Sequence, residues 1–457
     1  MSKTQKLKRE FPKGLSKEIV KKISEIKSEP EWMTKKRLAA LDIFLAKPLP
    51  TWGPNLSDID FQDIKYYATA GDQTHNWDDV PGEIRQTFED IGIPEHEKKF
   101  LAGVSTQYES EVIYHKLLDK YSKTGLVFES IDQGLMKYPK LFKKYFGTLI
   151  PPEDNKFAAL NSAVWSGGSF VYVPKGVKVD IPIETYFRIN IENMGQFERT
   201  LIIAEEGSEV HYIEGCTAPQ YSTNSLHAAV VEIFAHKNAR VRYTTIQNWS
   251  KNVYNLVTKR ALADENSHVE WMDVNIGSKI TMKYPSVILS GRKAHGKVLS
   301  MALADSGQEL DTGAKMIHLA PETSSIIDSR TVSIGNGKAT YRGISKITQK
   351  APTSKASVNC DGLLIDEDSK SYAYPYNTVS NDSSTLEHEA TVSKISQEKL
   401  TYIKSRGISE DEAKQIIVAG YVSPIMNEIP MEYSVEFDRL IEILLKREGK
   451  GHQKKAI

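Results

Sequence analysis

The amino-acid sequence predicts a mainly β fold, with a right-handed parallel β-helix core flanked by an N-terminal mostly helical region and a C-terminal helical domain. Three observations predict it. A turn residue, two intervening residues and a Val recur as Gly176-Val-Lys-Val179, Gly207-Ser-Glu-Val210, Asn238-Ala-Arg-Val241 and Asn266-Ser-His-Val269. A shortened Gly296-Lys-Val298 follows, so the turn residues lie 31, 31, 28 and 30 apart. Short apolar or alternating runs broken by Gly, Asn, Asp and Pro fill the intervals, as strands do. On either side of this stretch the apolar period lengthens to three or four residues, the mark of a helix face. The expected divisions are residues 1–154, 155–390 and 391–457.

In the first region Leu15, Ile19, Ile23 and Ile26 mark one helix face. Ser28 and Glu31 fit a capping box with Pro30 in the first turn, opening a helix that turns Trp32, Leu38, Leu41 and Phe44 inward. Residues 52–77 are rich in Gly, Pro, Asp and Asn and read as irregular, while 108–121 and 132–146 carry helical patterns. From about Phe157 the runs Phe170–Val173, Val177–Val179, Thr185–Ile191, Thr200–Ile203 and Val210–Ile213 read as strands.

Gly and Asn tolerate the left-handed backbone of a tight turn, and the Val after each begins a strand. A period near 30 residues is too short for a four-stranded propeller blade and suits one solenoid coil. No repeated hexapeptide favours the left-handed type. Coils of this kind bury their apolar faces only by stacking on neighbours. Near the C-terminus Ser396 caps a helix ending at Gly407. Ser409 and Glu412 form a second capping box, and a third helix from about Glu432 carries Phe437, Leu440, Ile441 and Leu444 on one face.

Composition excludes several function classes. Lys+Arg and Asp+Glu both number 59, so no basic field is available for a nucleic-acid backbone. No apolar run approaches the ~20 residues that span a bilayer, and the basic start lacks an apolar segment behind it, so no membrane or secretory role is expected. The expectation is a cytoplasmic protein, with plastid stroma equally compatible. No phosphate-binding GxxxxGK[ST] occurs, so no ATP site is expected in this chain, and GxGxxG before a helix, HExxH and GxSxG are absent too. A β-helix carbohydrate-active enzyme would need paired carboxylates. Asp264/Glu265 and Asp366/Asp368 are the candidates, and each is more simply a turn residue.

There are two cysteines, Cys216 and Cys360, 144 residues apart. No disulfide framework or four-cysteine metal site can be built from them. Cys216 follows a strand within Glu214-Gly-Cys-Thr-Ala-Pro219, so it is expected at a coil edge where a partner can reach the thiol. Cys360 occurs in Val358-Asn-Cys-Asp-Gly362, and further on lie Glu387, His388 and Glu389. In a strand the two carboxylates share one face and the imidazole takes the other. Thiolate, imidazole and carboxylate are all iron-competent, but one cysteine with these is too few for a closed cluster site, so a second chain would have to complete it.

These motifs carry a resemblance. The stretch 160–177 (LNSAVWSGGSFVYVPKGV) resembles the SufB/SufD family of the sulfur-mobilisation (SUF) system for iron–sulfur cluster assembly, and its SufB type more than its SufD type. So do Val112-Ile-Tyr-His115, Glu214–Pro219, Leu226–Glu232, Gln247-Asn-Trp249, Val257-Thr-Lys-Arg260 and Glu387–Lys394, in order along essentially the whole chain. The resemblance implies a non-catalytic assembly scaffold that receives persulfide sulfur and builds a nascent iron–sulfur cluster. Cys216 matches the family's sulfur acceptor. Cys360 matches the cysteine at the interface with a second β-helix chain, and Glu389 the acidic residue beside it, with Glu387 and His388 as further candidate ligands. Arg188, Asn190, Gln247, Trp249 and Lys259 match residues lining a path between the cysteines. The implied partners are the SufC ATPase, docked by the C-terminal helices; SufD or a second SufB; a cysteine desulfurase with its sulfur-transfer protein; and apo acceptor proteins. A reduced flavin in the complex is left open, since no motif supports or excludes it. The chain lacks the additional N-terminal cysteines of many family members.

Overall fold

The structure, a computed structural model, describes residues 9–69, 74, 101–189, 193–218 and 224–429. The helix Lys17–Ile26 starts at Ser16, whose hydroxyl accepts from Ile19 N, and it buries Ile19, Val20 and Ile23. The expected capping box at Ser28 does not form. Ser28 has φ 51° and closes the preceding helix instead, its N–H bonded to Glu25 O. Pro30 takes the N-cap of helix Glu31–Ala46 without a side-chain bond. That helix buries Met33, Arg37, Ala40, Leu41 and Phe44, whereas Trp32 and Leu38 are only half-buried. Buried Arg37 is held by both oxygens of Glu29, at 2.6 and 2.7 Å, and its guanidinium lies 4.2 Å from the Trp165 ring.

The helix expected at 108–121 is two antiparallel strands, Gly103–Tyr108 and Glu111–Leu117, followed by the single turn Asp119–Ser122. Val112, Ile113 and Tyr114 are consecutive and all buried, which a sheet covered on both faces accommodates and an amphipathic helix does not. Glu109 (φ 56°) reverses the chain between them. The pattern at 132–146 is helical, as Ile131–Lys137 and Pro139–Tyr145, with the break where Pro139 opens the second helix.

The core is a parallel β-solenoid. One face stacks Ile183–Arg188, Glu209–Thr217, Arg240–Trp249, His268–Gly277, His295–Ala304, Ser324–Ser333, Lys355–Leu364 and Thr385–Lys394, each paired in parallel with the next. The opposite face runs from Ser169–Val173 through Arg199–Ala204, Val230–Ala235, Val253–Ala263, the paired short strands Ile280–Lys283 and Ser286–Leu289, Glu309–His318 and Lys338–Ile347 to Lys370–Val379. Val177–Val179 contributes only an isolated bridge from Lys178 to Glu209. Gly176, Gly207, Asn238 and Asn266 all take positive φ, as the repeat predicts. The fifth left-handed turn is at Lys293 (φ 61°), not Gly296. Gly296 pairs with Val269 and so occupies the repeat's Val position, where a Cβ would come 3.0 Å from Met316 Sδ. Further such turns follow at Glu322 and Thr353.

Stacked coils put equivalent residues in columns. Val210, Val241 and Val269 form one inward column, and Tyr212, Tyr243 and Trp271 the next, with successive rings 5.0 and 5.2 Å apart. Burying each such side chain contributes about 1.5–3 kcal/mol, which is why coils support one another. On the outside, Met272, Val274, Leu299, Met301, Val332 and Leu363 form an apolar surface that the C-terminal helices cover with Leu400, Val418, Val422 and Ile425. Ser396 caps Gln397–Lys404, and the Ser409–Glu412 capping box opens Glu410–Met426. The helix expected from Glu432 lies outside the described residues. Among those described, no helix is long and apolar enough to cross a membrane.

Candidate functional site

Two residues beyond the aromatic column the interior turns polar. Strand register aligns Thr185, Glu214, Thr245, Asp273, Ser300, Ser329 and Cys360 in a single column. Every one of them is buried. The column beside it holds Phe187, Cys216, Gln247, Asn275, Ala302, Thr331 and Gly362. Cys216 and Cys360 are therefore five rungs and two residues apart. At about 4.8 Å per rung, the axial separation is about 24 Å.

Charge inside a protein survives only when paired. Side chains from both faces meet here. Asp273 Oδ1 lies 3.4 Å from Lys259 Nζ and 3.2 Å from Lys283 Nζ. Lys259 also approaches Glu214 at 3.9 Å, bonds the Thr245 hydroxyl, and lies 4.6 Å from the centre of the Tyr243 ring. Lys283 donates to Gln247 Oε1 at 3.0 Å, which also accepts from Asn255 Nδ2 at 2.8 Å. Asn255 Oδ1 meets His227 Nδ1 at 2.7 Å, and His227 Nε2 pairs with Glu198. Burial pushes the Asp273 carboxyl up, but the two lysines outweigh it and hold it below its ordinary value. Burial lowers Lys283 to about 8, only partly offset by Asp273. Burial also opposes protonation of His227, yet the Glu198 carboxylate prevails and raises it. Gln247 Nε2, Trp249 Nε1, Asp273 Oδ2, Thr312 Oγ1 and Ser329 Oγ are buried with no hydrogen-bond partner among the described residues. Unmet polar valence inside a core calls for an explanation beyond stability.

The sequence-predicted residues divide. Cys216 is not at an exposed coil edge. It is the penultimate residue of its strand, 1 % exposed, packed with Phe187, Trp249 and Val253. Its Sγ donates to Glu214 Oε1 at 3.6 Å. Burial first, then Glu214 and Glu198, keep the thiol far above its ordinary pKa, so the resting group is neutral S–H. Gln247 and Lys259 belong to the same network. Trp249 packs against the His227 ring at 4.8 Å. Arg188 lies on the opposite strand face from Phe187, half-buried, with Nη1 bonded to Thr217 Oγ1 at 2.9 Å, so it stands outside the column. Asn190 lies outside the described residues.

At the other end Cys360 Sγ is 3.3 Å from His388 Nε2. Burial and then Asp361 raise the thiol to about 11. His388 shares the inward face because it pairs with Val358. Glu387 and Glu389 pair with Ser357 and Asn359 and occupy the other face. Glu389 reaches Cys360 through its main-chain carbonyl at 3.6 Å, not through its carboxylate. The structure thus brings one thiol and one imidazole together, and no group of three or more His, Cys, Asp or Glu able to hold a metal occurs among the described residues. Tyr341 faces Cys360 from the opposite sheet; burial and then Cys360 raise its hydroxyl well above its ordinary value.

Glu214, Asp273, Lys283, His227, Glu198 and Asn255 were not singled out by sequence reasoning. The signal for the first two was in the repeat: the fourth residue after its Val is Glu214, Thr245 and Asp273 in successive coils, an even offset that keeps one face. The carboxylates of the glycosidase alternative do turn work. Asp264 binds His236 Nδ1 at 2.8 Å, Glu265 binds Lys237, and Asp366 accepts from Gly335 N at 2.6 Å.

Fold and site together define a class: a two-faced parallel β-solenoid whose interior carries a polar column that terminates on a cysteine at its last coils. Comparison with known proteins supplies the family. Residues 187–421 match the SufBD core domain of the SUF system for FeS cluster assembly, and residues 21–185 match the SufBD protein N-terminal region. An iron–sulfur cluster assembly SufBD family protein of Staphylococcus aureus (strain MRSA252) is 57% identical over 431 residues, covering 94% of this chain and 93% of the relative. The Staphylococcus saprophyticus protein of the same description is also 57% identical over 431 residues, with the same shares, and that of S. aureus strain USA300 is 56% identical. The chain belongs to the SufBD family of iron–sulfur cluster assembly proteins.

Proposed function

We propose that the chain is a SufB-type scaffold that takes sulfur at Cys216 and delivers it through the solenoid interior to Cys360, where a nascent iron–sulfur cluster is assembled as cargo. The single observation that supports this reading most is the in-register polar column ending at Cys360, with Glu214, next to Cys216, as one of its rungs. Loading is a sulfur exchange with a persulfide donor: R–S–SH and Cys216–SH give Cys216–S–SH and R–SH, with no net oxidation. Within the column, Lys259, Lys283 and the amide of Gln247 offer donors to an anionic sulfur species in a site shielded from water and oxidant. Cys360 and His388 supply two iron-competent donors, and the shortfall supports completion by a second chain. The final coil suits such a contact. Among the described residues both of its strands are unpaired sheet edges, and Tyr372, Tyr374, Tyr376 and Val392 are exposed there. A SufC ATPase docked on the C-terminal helices drives the interface, and SufD or a second copy completes it. The chain itself performs no catalysis.

The test is sulfur labelling by a cysteine desulfurase and its transfer protein, followed by anaerobic addition of iron. Alkylation and mass spectrometry should find one extra sulfur atom on Cys216. Cys216→Ser should lose both the label and cluster absorbance; Cys360→Ala should keep the label on Cys216 and lose the cluster. Full labelling of Cys216→Ser, or wild-type cluster yield from Cys360→Ala, sinks the reading.

A further inference from the structure

A cleft of about 470 Å³ opens on the outer surface of the solenoid, on the opposite side of the Val253–Ala263 strand from the interior column. Outward-facing residues of that strand and its neighbours form its floor, the 47–52 segment its roof, and the start of helix Lys156–Val164 closes one end. Its volume falls in the range of small-molecule sites.

Two independent features single it out. The first is charge. Lys47, Lys156, Lys259, Arg260 and Lys315 line the cleft against one carboxylate, Asp154, the Lys259 ammonium itself being turned into the interior network. Arg260 is neutralised by Asp154 at 2.8 Å, and the Lys156 ammonium is held by the carbonyls of Phe44 and Lys47. Lys315 has only the Tyr284 ring, 5.4 Å from its ammonium to the centroid, and no hydrogen-bond acceptor or carboxylate among the described residues. Burial and then Arg260 depress its pKa, with Asp154 a weaker opposing influence. Lys315 is half-buried and its ammonium has no protein acceptor among the described residues, which leaves it open to an incoming anion. The second feature is aromatic. Trp52 packs on Tyr284 with ring centroids 5.8 Å apart, and its ring carries the Arg342 guanidinium at 5.2 Å, yet it remains 48 % exposed at the cleft. A large indole left half in water at the wall of a cationic cleft is an unused stacking surface.

We propose that this cleft binds a small organic anion bearing a planar aromatic ring, with the anionic group on Lys315 and the ring against Trp52. Charge-assisted bonds would fix the anion, and stacking would fix the ring. The proposal is independent of the sulfur route, since Lys315 and Trp52 take no part in the interior column.

The experiment is calorimetric titration of the full chain with 1-naphthyl phosphate, 1-naphthol and inorganic phosphate. Saturable binding of naphthyl phosphate is expected, with naphthol and phosphate each about tenfold weaker or more, because each lacks one half of the recognition. Lys315→Met and Trp52→Ala should each weaken naphthyl phosphate about tenfold, while Lys315→Arg retains it. All three variants should keep the wild-type circular dichroism spectrum, because both side chains are at the surface of the cleft. Absence of saturable binding to wild type, unchanged affinity in Lys315→Met and Trp52→Ala, or equal binding of naphthol or phosphate would overturn the proposal.

Discussion

At Asp273 two ammonium groups converge on one carboxylate oxygen inside a core that excludes water. Removing the negative charge leaves Lys283 buried without its ion-pair partner and Lys259 with only the more distant Glu214 carboxylate. Asp273→Asn should therefore lower stability by about 3–5 kcal/mol, and pairing it with Lys283→Met should recover part of the loss. Urea midpoints of wild type and the two variants check this, and an unchanged midpoint for Asp273→Asn would show that its carboxylate does not compensate the lysines. Lys283 adds a pH signature. Its value falls to about 8 in the folded chain, from an ordinary 10.5. Between those values the unfolded chain holds one more proton, so the Lys283 contribution to stability rises as pH rises from about 8 toward 10.5. The difference in urea midpoint between wild type and Lys283→Met should accordingly change between pH 8 and 10 in favour of wild type. A constant difference would mean that Lys283 titrates as an ordinary lysine.

Among the elements, the coils depend on backbone contacts that a methyl group can break. Gly277 has φ 77°, and a Cβ there would lie 1.6 Å from the Trp249 carbonyl oxygen of the coil beneath. Gly207 also has positive φ but open space around it. Gly207→Ala should cost only the left-handed penalty of about 1–2 kcal/mol. Gly277→Ala should lose clearly more, because the ladder itself must part; equal thermal midpoints for the two would contradict the contact. Position in the sequence reveals some of this and conceals the rest. The turns at Gly176, Gly207, Asn238 and Asn266 were legible because Gly and Asn advertise positive φ. Lys293, Glu322 and Thr353 hold the same conformation in residues that rarely adopt it, so the later coils gave no turn signal. The stretch 108–121 was misread because a short apolar run alone does not distinguish a covered strand from a helix segment, and the burial of three consecutive residues is evident only once their sheet partners are known. The column from Glu214 to Cys360 was half legible: its cysteines stood out, but Asp273 and Lys283 arrive from different faces, and only folding brings them together. The burial of Cys216 was hidden for a similar reason, since a Gly-Cys-Thr run reads as loop and here lies in a covered strand.

For the whole molecule, the two ends of the solenoid are unequal. The first coil is capped by the strands Gly103–Tyr108, Glu111–Leu117 and Val127–Ser130, while the last coil leaves Tyr374 at 50 % and Tyr376 at 61 % exposure beside strand edges that no described residue pairs. Replacing both tyrosines by Glu should leave the thermal midpoint of the isolated chain nearly unchanged and abolish association with a second solenoid chain, read by light scattering of the mixed proteins. Association that persists would place the contact elsewhere. The strand register has a further consequence. Because neighbouring coils are aligned residue for residue, one inserted amino acid in any strand between the cysteines would turn its polar side chain outward and interrupt the polar column. A complete extra coil of about 30 residues would keep every side chain facing correctly and lengthen the column by about 4.8 Å. The distance between the two thiols is thus quantised in whole coils, and the solenoid doubles as a ruler that evolution or design can extend only one notch at a time.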